Sequence, residues 1–163
     1  MNKQRRRQVL AVATVYISIT IGSLFFGHSI AHAATAVDAQ QVYKRLITVN
    51  GIRNAPPLTV SNDKDINAYA TPDKIIVNAG LLAYVHNNSE LALIIGHELS
   101  HILHHDDGST ILRELRADRE GAIMIRNAGY DICTGAQALK RLHSNGGMTH
   151  PDSDTRYYEL GCH

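Results

Sequence analysis

After an apolar N-terminal stretch, the apolar residues follow two patterns along the chain, one typical of helices and one typical of strands. Between Val37 and Val49 the apolar residues recur at helical spacing, which predicts a first helix that ends at Asn50-Gly51. Extended, β-rich segments then follow at 58–60, 66–71 and 74–78, separated by the turn residues Asn62-Asp63 and Pro72-Asp73. These three segments predict a small antiparallel sheet.

The second half of the chain returns to helical spacing. One helix is expected to begin near Asn88-Ser89 and to run to about His105, where Asp106 to Ser109 form a turn. Further helices are expected from about Thr110 to Ala128, from about Gly135 to His143, and after Pro151. The pattern therefore predicts one mainly helical α+β domain.

The N-terminal stretch has the three parts of an export signal. Lys3 and Arg5 to Arg7 form a basic start, an apolar run covers residues 9–26, and Ala31-His32-Ala33 supplies a small-residue cleavage site. We expect residues 1–33 to be a signal peptide; the alternative is an uncleaved anchor formed by residues 9–26. Either way, residues 34–163 are expected to work outside the cytoplasm, in the periplasm or secreted, because the positive flank stays inside.

Composition narrows the classes of function. A chain of 163 residues with a formal net charge of +1 suits one domain and gives no electrostatic reason to expect a nucleic-acid partner. Residues 1–33 carry four basic and no acidic residues, so residues 34–163 retain 12 Lys and Arg against 15 Asp and Glu, a net charge of −3. Ten histidines are many for this length, and histidine is the commonest metal ligand.

Two cysteines, Cys133 and Cys162, follow the leader. In an oxidising compartment they are expected to form a disulfide bond, and two free thiols are the alternative. Neither lies in a sequence context typical of a catalytic nucleophile.

The segment His97-Glu98-Leu99-Ser100-His101 forms an HExxH motif within a predicted helix. Residues four apart lie on one face of a helix, so both imidazoles can bind the same zinc ion. Glu98 lies beside them, where its carboxylate can accept a proton from a zinc-bound water. The alternative is a solvated face of His and Glu side chains with no metal.

A catalytic zinc needs a third protein ligand and an open position, and Glu114 is the best candidate. His101 lies about four residues before its helix ends and Glu114 about five residues into the next, so an antiparallel pair places them at similar height. Asp118, one turn beyond Glu114, is expected to accept a hydrogen bond from a ligand histidine. Asp118 itself and then Glu120 are the alternative third ligands, and His104 is a further alternative because it shares the face of the two histidines.

These motifs resemble, in their order along the chain, those of the HtpX-like and CAAX-prenyl-protease-like zinc metallopeptidases. The resemblance spans about residues 58–160. The segments that carry it are Asn67 to Ala70, Gly80 to Leu82, Gly96 to His101, Glu114 to Asp118, Ala128 to Asp131, and Thr149-His150-Pro151 followed by Arg156. The stretch between His101 and Glu114 is shorter than in that family, so a minimal member is expected.

The resemblance implies one zinc ion per chain, held by His97, His101 and Glu114, with Glu98 as general base. It further implies that His150 faces the zinc and binds the oxyanion or the substrate, although His150 could instead close a proline-initiated helix. Arg156 is expected to anchor another residue through a salt bridge. A strand near residues 67–71 would pair with the substrate backbone.

The function predicted from these residues is zinc-dependent hydrolysis of peptide bonds by a metalloendopeptidase with a polypeptide substrate. A membrane contact is expected only if the leader is retained as an anchor. The alternative functions are a catalytically silent metal-binding or interaction module on the same scaffold, and an amidase that acts on cell-wall peptides.

Overall fold

A computed structural model of the chain describes residues 33–142 and 144–163. The predicted leader, apart from Ala33, and His143 lie outside the described residues. The elements are α1 (Ala36–Val49), β1 (Leu58–Ser61), β2 (Ala68–Thr71), β3 (Lys74–Asn78), α2 (Ala79–Tyr84), α3 (Asn88–Leu103), α4 (Ile111–Asn127), α5 (Ile132–Leu142) and α6 (Ser153–Glu159). The predicted α+β class with a mainly helical domain is confirmed.

The three strands form a mixed sheet, so the prediction of an antiparallel sheet is wrong for one of its two pairings. The order is β1-β3-β2, with β3 antiparallel to β2 and parallel to β1. The turn at Pro72-Asp73 joins β2 and β3 as a hairpin with Thr71 opposite Lys74. The longer connection from β1 to β2, residues 62–67, instead crosses to the far side of β3. It passes directly over Gly80, where a Cβ would lie 2.0 Å from the Lys64 carbonyl oxygen, so only glycine fits at position 80.

Side-chain caps set the starts of the long helices. The Asn87 side chain accepts hydrogen bonds from the backbone N–H groups of Ser89 and Glu90 and so begins α3. Thr110 caps α4 in the same way through the N–H of Arg113. These bounds lie within two residues of the predicted ones.

Helix α3 runs through the centre of the domain. Leu91, Ile95 and Leu99 are fully buried along it, and α4 packs closely along its length. The crossing is close because Gly96 meets Gly121, where a Cβ would lie 2.8 Å from the His97 backbone nitrogen. The two helices are thereby held near enough for their side chains to share one site.

The C-terminal helix α6 packs against α5 and α4. Cys133 and Cys162 form the expected disulfide, with 5.4 Å between their Cα atoms. None of the helices in the described ranges has the length and apolar character needed to cross a membrane.

Candidate metal centre

Three side chains from α3 and α4 converge on one point. His97 Nε2 lies 3.0 Å from His101 Nε2 and 3.4 Å from Glu114 Oε2, and His101 Nε2 lies 3.5 Å from Glu114 Oε1. Ligand atoms about 2.0–2.1 Å from a tetrahedral zinc ion lie about 3.3–3.4 Å from one another. The three side chains therefore have the spacing of three tetrahedral zinc ligands.

Hydrogen bonds behind the two imidazoles fix which nitrogen faces the centre. His97 Nδ1 lies 2.8 Å from Asp118 Oδ1, and His101 Nδ1 lies 2.8 Å from Asp106 Oδ2. A carboxylate accepts a hydrogen bond from its partner, so both Nδ1 atoms donate, and in the neutral rings that bind a metal both Nε2 lone pairs face the centre. Two lone pairs at 3.0 Å repel unless a cation lies between them, and this arrangement fits a bound metal.

The electrostatics of the centre favour positive charge. Burial lowers the pKa of His97, but hydrogen bonds to Asp118 and Glu114 outweigh it and raise the pKa to about 9. Burial likewise opposes the charged form of Glu114, whose pKa nonetheless falls to about 2 because His97 and the Ser109 hydroxyl donate to it. The carboxylates thus compensate a cation at the point where the ligands meet.

Asp118 lies behind His97, hydrogen-bonded to its Nδ1, and outside the cluster of three side chains. It is 1% exposed, and Arg156 Nε donates to its Oδ2 over 2.7 Å. Burial raises the pKa of Asp118, but the Arg156 and His97 hydrogen bonds lower it to about 2. Arg156 thus makes the anchoring salt bridge expected of it, and α6 is tied to the centre.

Asp106 is the residue that sequence reasoning missed. The backbone after α3 follows a Schellman motif: the N–H of Asp106 bonds to the carbonyl of His101, and the N–H of His105 bonds to that of Ile102. His105 takes the left-handed conformation, with φ 52°, that glycine usually supplies at this position. The motif folds Asp106 back onto His101, and the acidic residue five positions after His101 was the available signal.

Two arginines hold Asp106 in place. Its carboxylate is 6% exposed; Arg116 donates to it, and Arg113 Nε lies 3.5 Å from it. These contacts hold the pKa of Asp106 below its usual range against the opposing effect of burial. The short segment between α3 and α4 therefore carries a second hydrogen-bond acceptor for the centre, on a partly buried residue.

Glu98 lies next to the centre without joining it. Burial and the nearby Glu114 charge raise its pKa to about 7, partly opposed by His97 and by a hydrogen bond from the Ala70 backbone N–H. Its side chain borders a groove of about 710 Å³ that is also lined by residues 67–72, including β2. An acid of this pKa can both accept and release a proton near neutral pH.

His150 lies at the rim of the same groove. Its side chain is 57% exposed, and its Nε2 is 3.8 Å from Glu114 Oε1 and 3.4 Å from Ser109 Oγ.

His104 and Glu120 lie elsewhere: His104 Nε2 is 2.9 Å from Glu120 Oε2, and neither belongs to the ligand cluster. The structure thus brings His97, His101 and Glu114 together. Two of the alternative ligands, His104 and Glu120, are instead paired with each other.

The family model of peptidase family M48 matches residues 33–113, just under half of the chain. The matched part contains the HExxH motif and ends one residue before Glu114. A comparison with curated proteins found no match. Over these residues the chain is similar to peptidase family M48, whose members typically use zinc, and the His/His/Glu cluster adds a possible metal site.

Proposed function

We propose that the chain is a zinc metalloendopeptidase of the HtpX-like type that hydrolyses peptide bonds of proteins outside the cytoplasm. The observation that carries this proposal is the set of three side chains whose nitrogen and oxygen atoms approach one another to 3.0–3.5 Å, with Glu98 beside them on the wall of an open groove. When bound, zinc would supply a Lewis acid that polarises the peptide carbonyl and acidifies a water molecule.

The residues of the chain have separate roles in this reaction. The Glu98 carboxylate accepts a proton from the attacking water and returns it to the leaving amine nitrogen, for which a pKa near 7 is suitable. His150 lines the groove near Glu114, where its ring can donate a hydrogen bond to the oxygen that becomes negative. Asp118 and Asp106 do not touch the substrate; they hold the two histidine rings in orientation.

Strand β2 offers a place for the substrate backbone. It is one of the two edge strands of the sheet in the described part of the chain, and it borders the groove beside Glu98. An extended peptide can add to such an edge through main-chain hydrogen bonds, which require no particular sequence. This mode of binding suits a peptidase that acts on unfolded protein segments.

Export is supported by two independent observations. Residues 1–33 have the pattern of a signal peptide, which leaves 34–163 as the peptidase domain. The Cys133–Cys162 disulfide is typical of oxidising compartments such as the periplasm.

The competing function, a catalytically silent metal-binding module, expects four protein ligands around the ion. Among the described residues the cluster has three, and it opens onto a groove. The open position favours catalysis, because a purely structural site is closed.

The proposal is tested by comparing the wild-type chain with Glu98→Gln and with the exposed control Glu159→Gln. All three are expected to contain one zinc per chain by native mass spectrometry. Cleavage of a reduced, unfolded protein is expected to fall by about 10²–10⁴-fold in Glu98→Gln only. Equal cleavage by Glu98→Gln, or a wild-type chain that takes up no zinc, would refute the proposal.

A further inference from the structure

The last helix, α6, is too short to hold its position by itself. It has seven residues, whereas isolated helices shorter than about 12–15 residues are marginal in water. Side chains of α5 help to hold it. Tyr157 of α6 is buried, its hydroxyl accepts a hydrogen bond from Gln137 Nε2 over 3.1 Å, and Lys140 Nζ lies 4.5 Å from the centre of its ring. The place of α6 therefore depends on how the chain around it is fastened to α5.

The Cys133–Cys162 disulfide is the covalent part of that fastening. Cys133 lies in the first turn of α5, and Cys162 lies three residues after the end of α6. The bond joins residues 29 apart in sequence, so it removes much of the freedom of the intervening chain. Cys162 is 1% exposed, whereas Cys133 is only partly buried, so Cys133 is the side on which a thiol exchange partner can approach.

The same helix carries the arginine that reaches the metal centre. Arg156 Nε lies 2.7 Å from Asp118 Oδ2, and Arg156 Nη2 lies 2.5 Å from Asp118 Oδ1. Asp118 Oδ1 in turn accepts a hydrogen bond from His97 Nδ1 over 2.8 Å. The side chains of Arg156 and Asp118 are 16% and 1% exposed, so this ion pair is sheltered from water. Only one buried contact therefore separates α6 from the group that orients His97.

The geometry of this ion pair makes it sensitive to the place of α6. An arginine that donates to both oxygens of a carboxylate fixes the plane of the carboxylate as well as its position. That plane sets the direction in which Asp118 Oδ1 accepts from His97. When α6 moves away, Arg156 moves with it, and the Asp118 carboxylate is free to turn. The His97 ring then loses its fixed orientation, which weakens metal binding.

We propose that the Cys133–Cys162 disulfide is a redox device that completes the metal centre, so that the chain binds zinc tightly only once the bond has formed. The bond holds α6 in place, α6 holds Arg156 against Asp118, and Asp118 orients His97. This inference rests on the proposed function for its purpose. A peptidase made in a reducing cytoplasm stays poor in zinc until it reaches an oxidising compartment.

Formation of the bond is a two-electron oxidation. Exchange with a dithiol carrier protein in its disulfide form joins the sulfur atoms of Cys133 and Cys162. The two thiols lose two protons and two electrons, both of which pass to the sulfurs of the carrier, and the carrier leaves as a dithiol. A dithiol of the same class reverses the step, breaks the bond and lowers the zinc affinity again.

Zinc dissociation constants test the inference, because they are measured without a substrate. The full wild-type chain is compared with Cys133→Ala/Cys162→Ala, which lacks the bond and also lacks thiols that could themselves bind zinc. Competition with a chromophoric chelator is expected to show about 10–100-fold weaker binding by the variant, the loss typical when the group behind a ligand histidine is disturbed. Hydrogen exchange of the α6 amides is expected to be faster in the variant, while circular dichroism shows the helical content of the wild type.

Substitutions of Arg156 establish the route from the disulfide to the metal. With the bond intact, Arg156→Met is expected to weaken zinc binding by about 10–100-fold, and Arg156→Lys, which keeps one charged donor, is expected to weaken it less. Removing the disulfide from Arg156→Met should then change the dissociation constant by no more than about twofold, because the route is already broken.

Arg119→Met is the matched control for Arg156→Met. Arg119 also contacts α6, since its Nη1 lies 3.5 Å from Glu159 Oε2, but it is 52% exposed and does not border the groove. The substitution removes the same charge and leaves the route through Asp118 intact. Its zinc affinity, and the dependence of that affinity on the disulfide, are expected to equal those of the wild type.

Each result either supports the redox device or overturns it. Zinc affinity within about twofold of wild type in the alanine variant overturns it, as do losses that multiply when the disulfide and Arg156 are removed together. Unchanged exchange of the α6 amides overturns it as well. Lost helical content in the alanine variant also overturns it, because the bond would then hold the whole fold rather than α6.

The same measurements separate this inference from the proposed function. Cleavage of an unfolded protein by the wild type, with a zinc affinity independent of the disulfide, retains the peptidase and overturns the device. A zinc affinity that depends on the disulfide and on Arg156, without cleavage by the wild type, retains the device and overturns the peptidase.

Discussion

Replacing Asp106 should weaken metal binding although Asp106 is not one of the three ligands. Its carboxylate accepts the Nδ1 proton of His101 over 2.8 Å and is 6% exposed, so the hydrogen bond is sheltered from water. A hydrogen bond to a charged group contributes about 1.5–3 kcal/mol. Loss of a partner behind a ligand histidine costs about 10–100-fold in metal affinity, which is about 1.4–2.7 kcal/mol. The two estimates agree.

Two substitutions of Asp106 separate the effect of losing its negative charge from the effect of losing its hydrogen-bond acceptor. Asp106→Asn keeps an oxygen that can accept from His101 Nδ1, so we expect zinc affinity to fall by about 3–10-fold. Asp106→Ala removes the acceptor and leaves Arg116 without it, and we expect a loss of about 10–100-fold. Asp107→Asn is the matched control, since Asp107 is 92% exposed and carries the same charge one residue further on.

Zinc dissociation constants from competition with a chromophoric chelator measure these effects at pH 7.5. Circular dichroism establishes that each variant keeps the helical content of the wild type. A dissociation constant for Asp106→Ala within twofold of wild type would refute the orienting role. An equal loss in Asp107→Asn would attribute the effect to net charge instead.

Three further predictions concern stability. Burial raises the pKa of Glu90, but hydrogen bonds from Arg141 and from a backbone N–H outweigh it and hold the pKa below its ordinary value of about 4.3. The resulting stability is present above pH 4.3 and lost as the pH falls through the folded-state pKa. Arg141→Met is expected to be about 2–4 kcal/mol less stable than wild type in urea unfolding at pH 7. Its unfolding free energy should also depend less on pH in the acid range. Replacing Cys133 and Cys162 together by alanine should cost about 3–4 kcal/mol in urea unfolding, from a loop with a sequence separation of 29; an unchanged midpoint would contradict this. Gly121→Ala should cost at least about 1–3 kcal/mol because the added Cβ meets the backbone of α3, and a stability equal to wild type would show that the helices separate freely.

Local sequence signals predicted the features that depend on neighbouring residues. Asn88-Ser89, Gly129 and Pro151 each mark a helix boundary within a few residues, because capping and backbone restriction act locally. The HExxH spacing placed both imidazoles on one face for the same reason. Glu114 followed from the tight turn between two helices.

Features that depend on distant segments were not predictable in this way. The parallel pairing of β1 with β3 is fixed by how the chain from Ser61 to Asn67 crosses α2, and no local pattern carries that information. The backbone contact between Gly96 and Gly121 depends on how two helices cross. Asp106 was assigned only to a turn, because its contact with His101 arises from a left-handed residue at His105 that usually signals glycine.

The position of the three ligands along the chain has a consequence for folding. His97, His101 and Glu114 lie within one helical hairpin, so the ion site has short-range contacts that form quickly. The groove wall from β2 and the anchoring Arg156 come from segments on either side of that hairpin, and loop closure makes such contacts slower. On the proposed function, metal binding and completion of the substrate groove would therefore be separable events, with the ion bound before the chain can cleave a substrate.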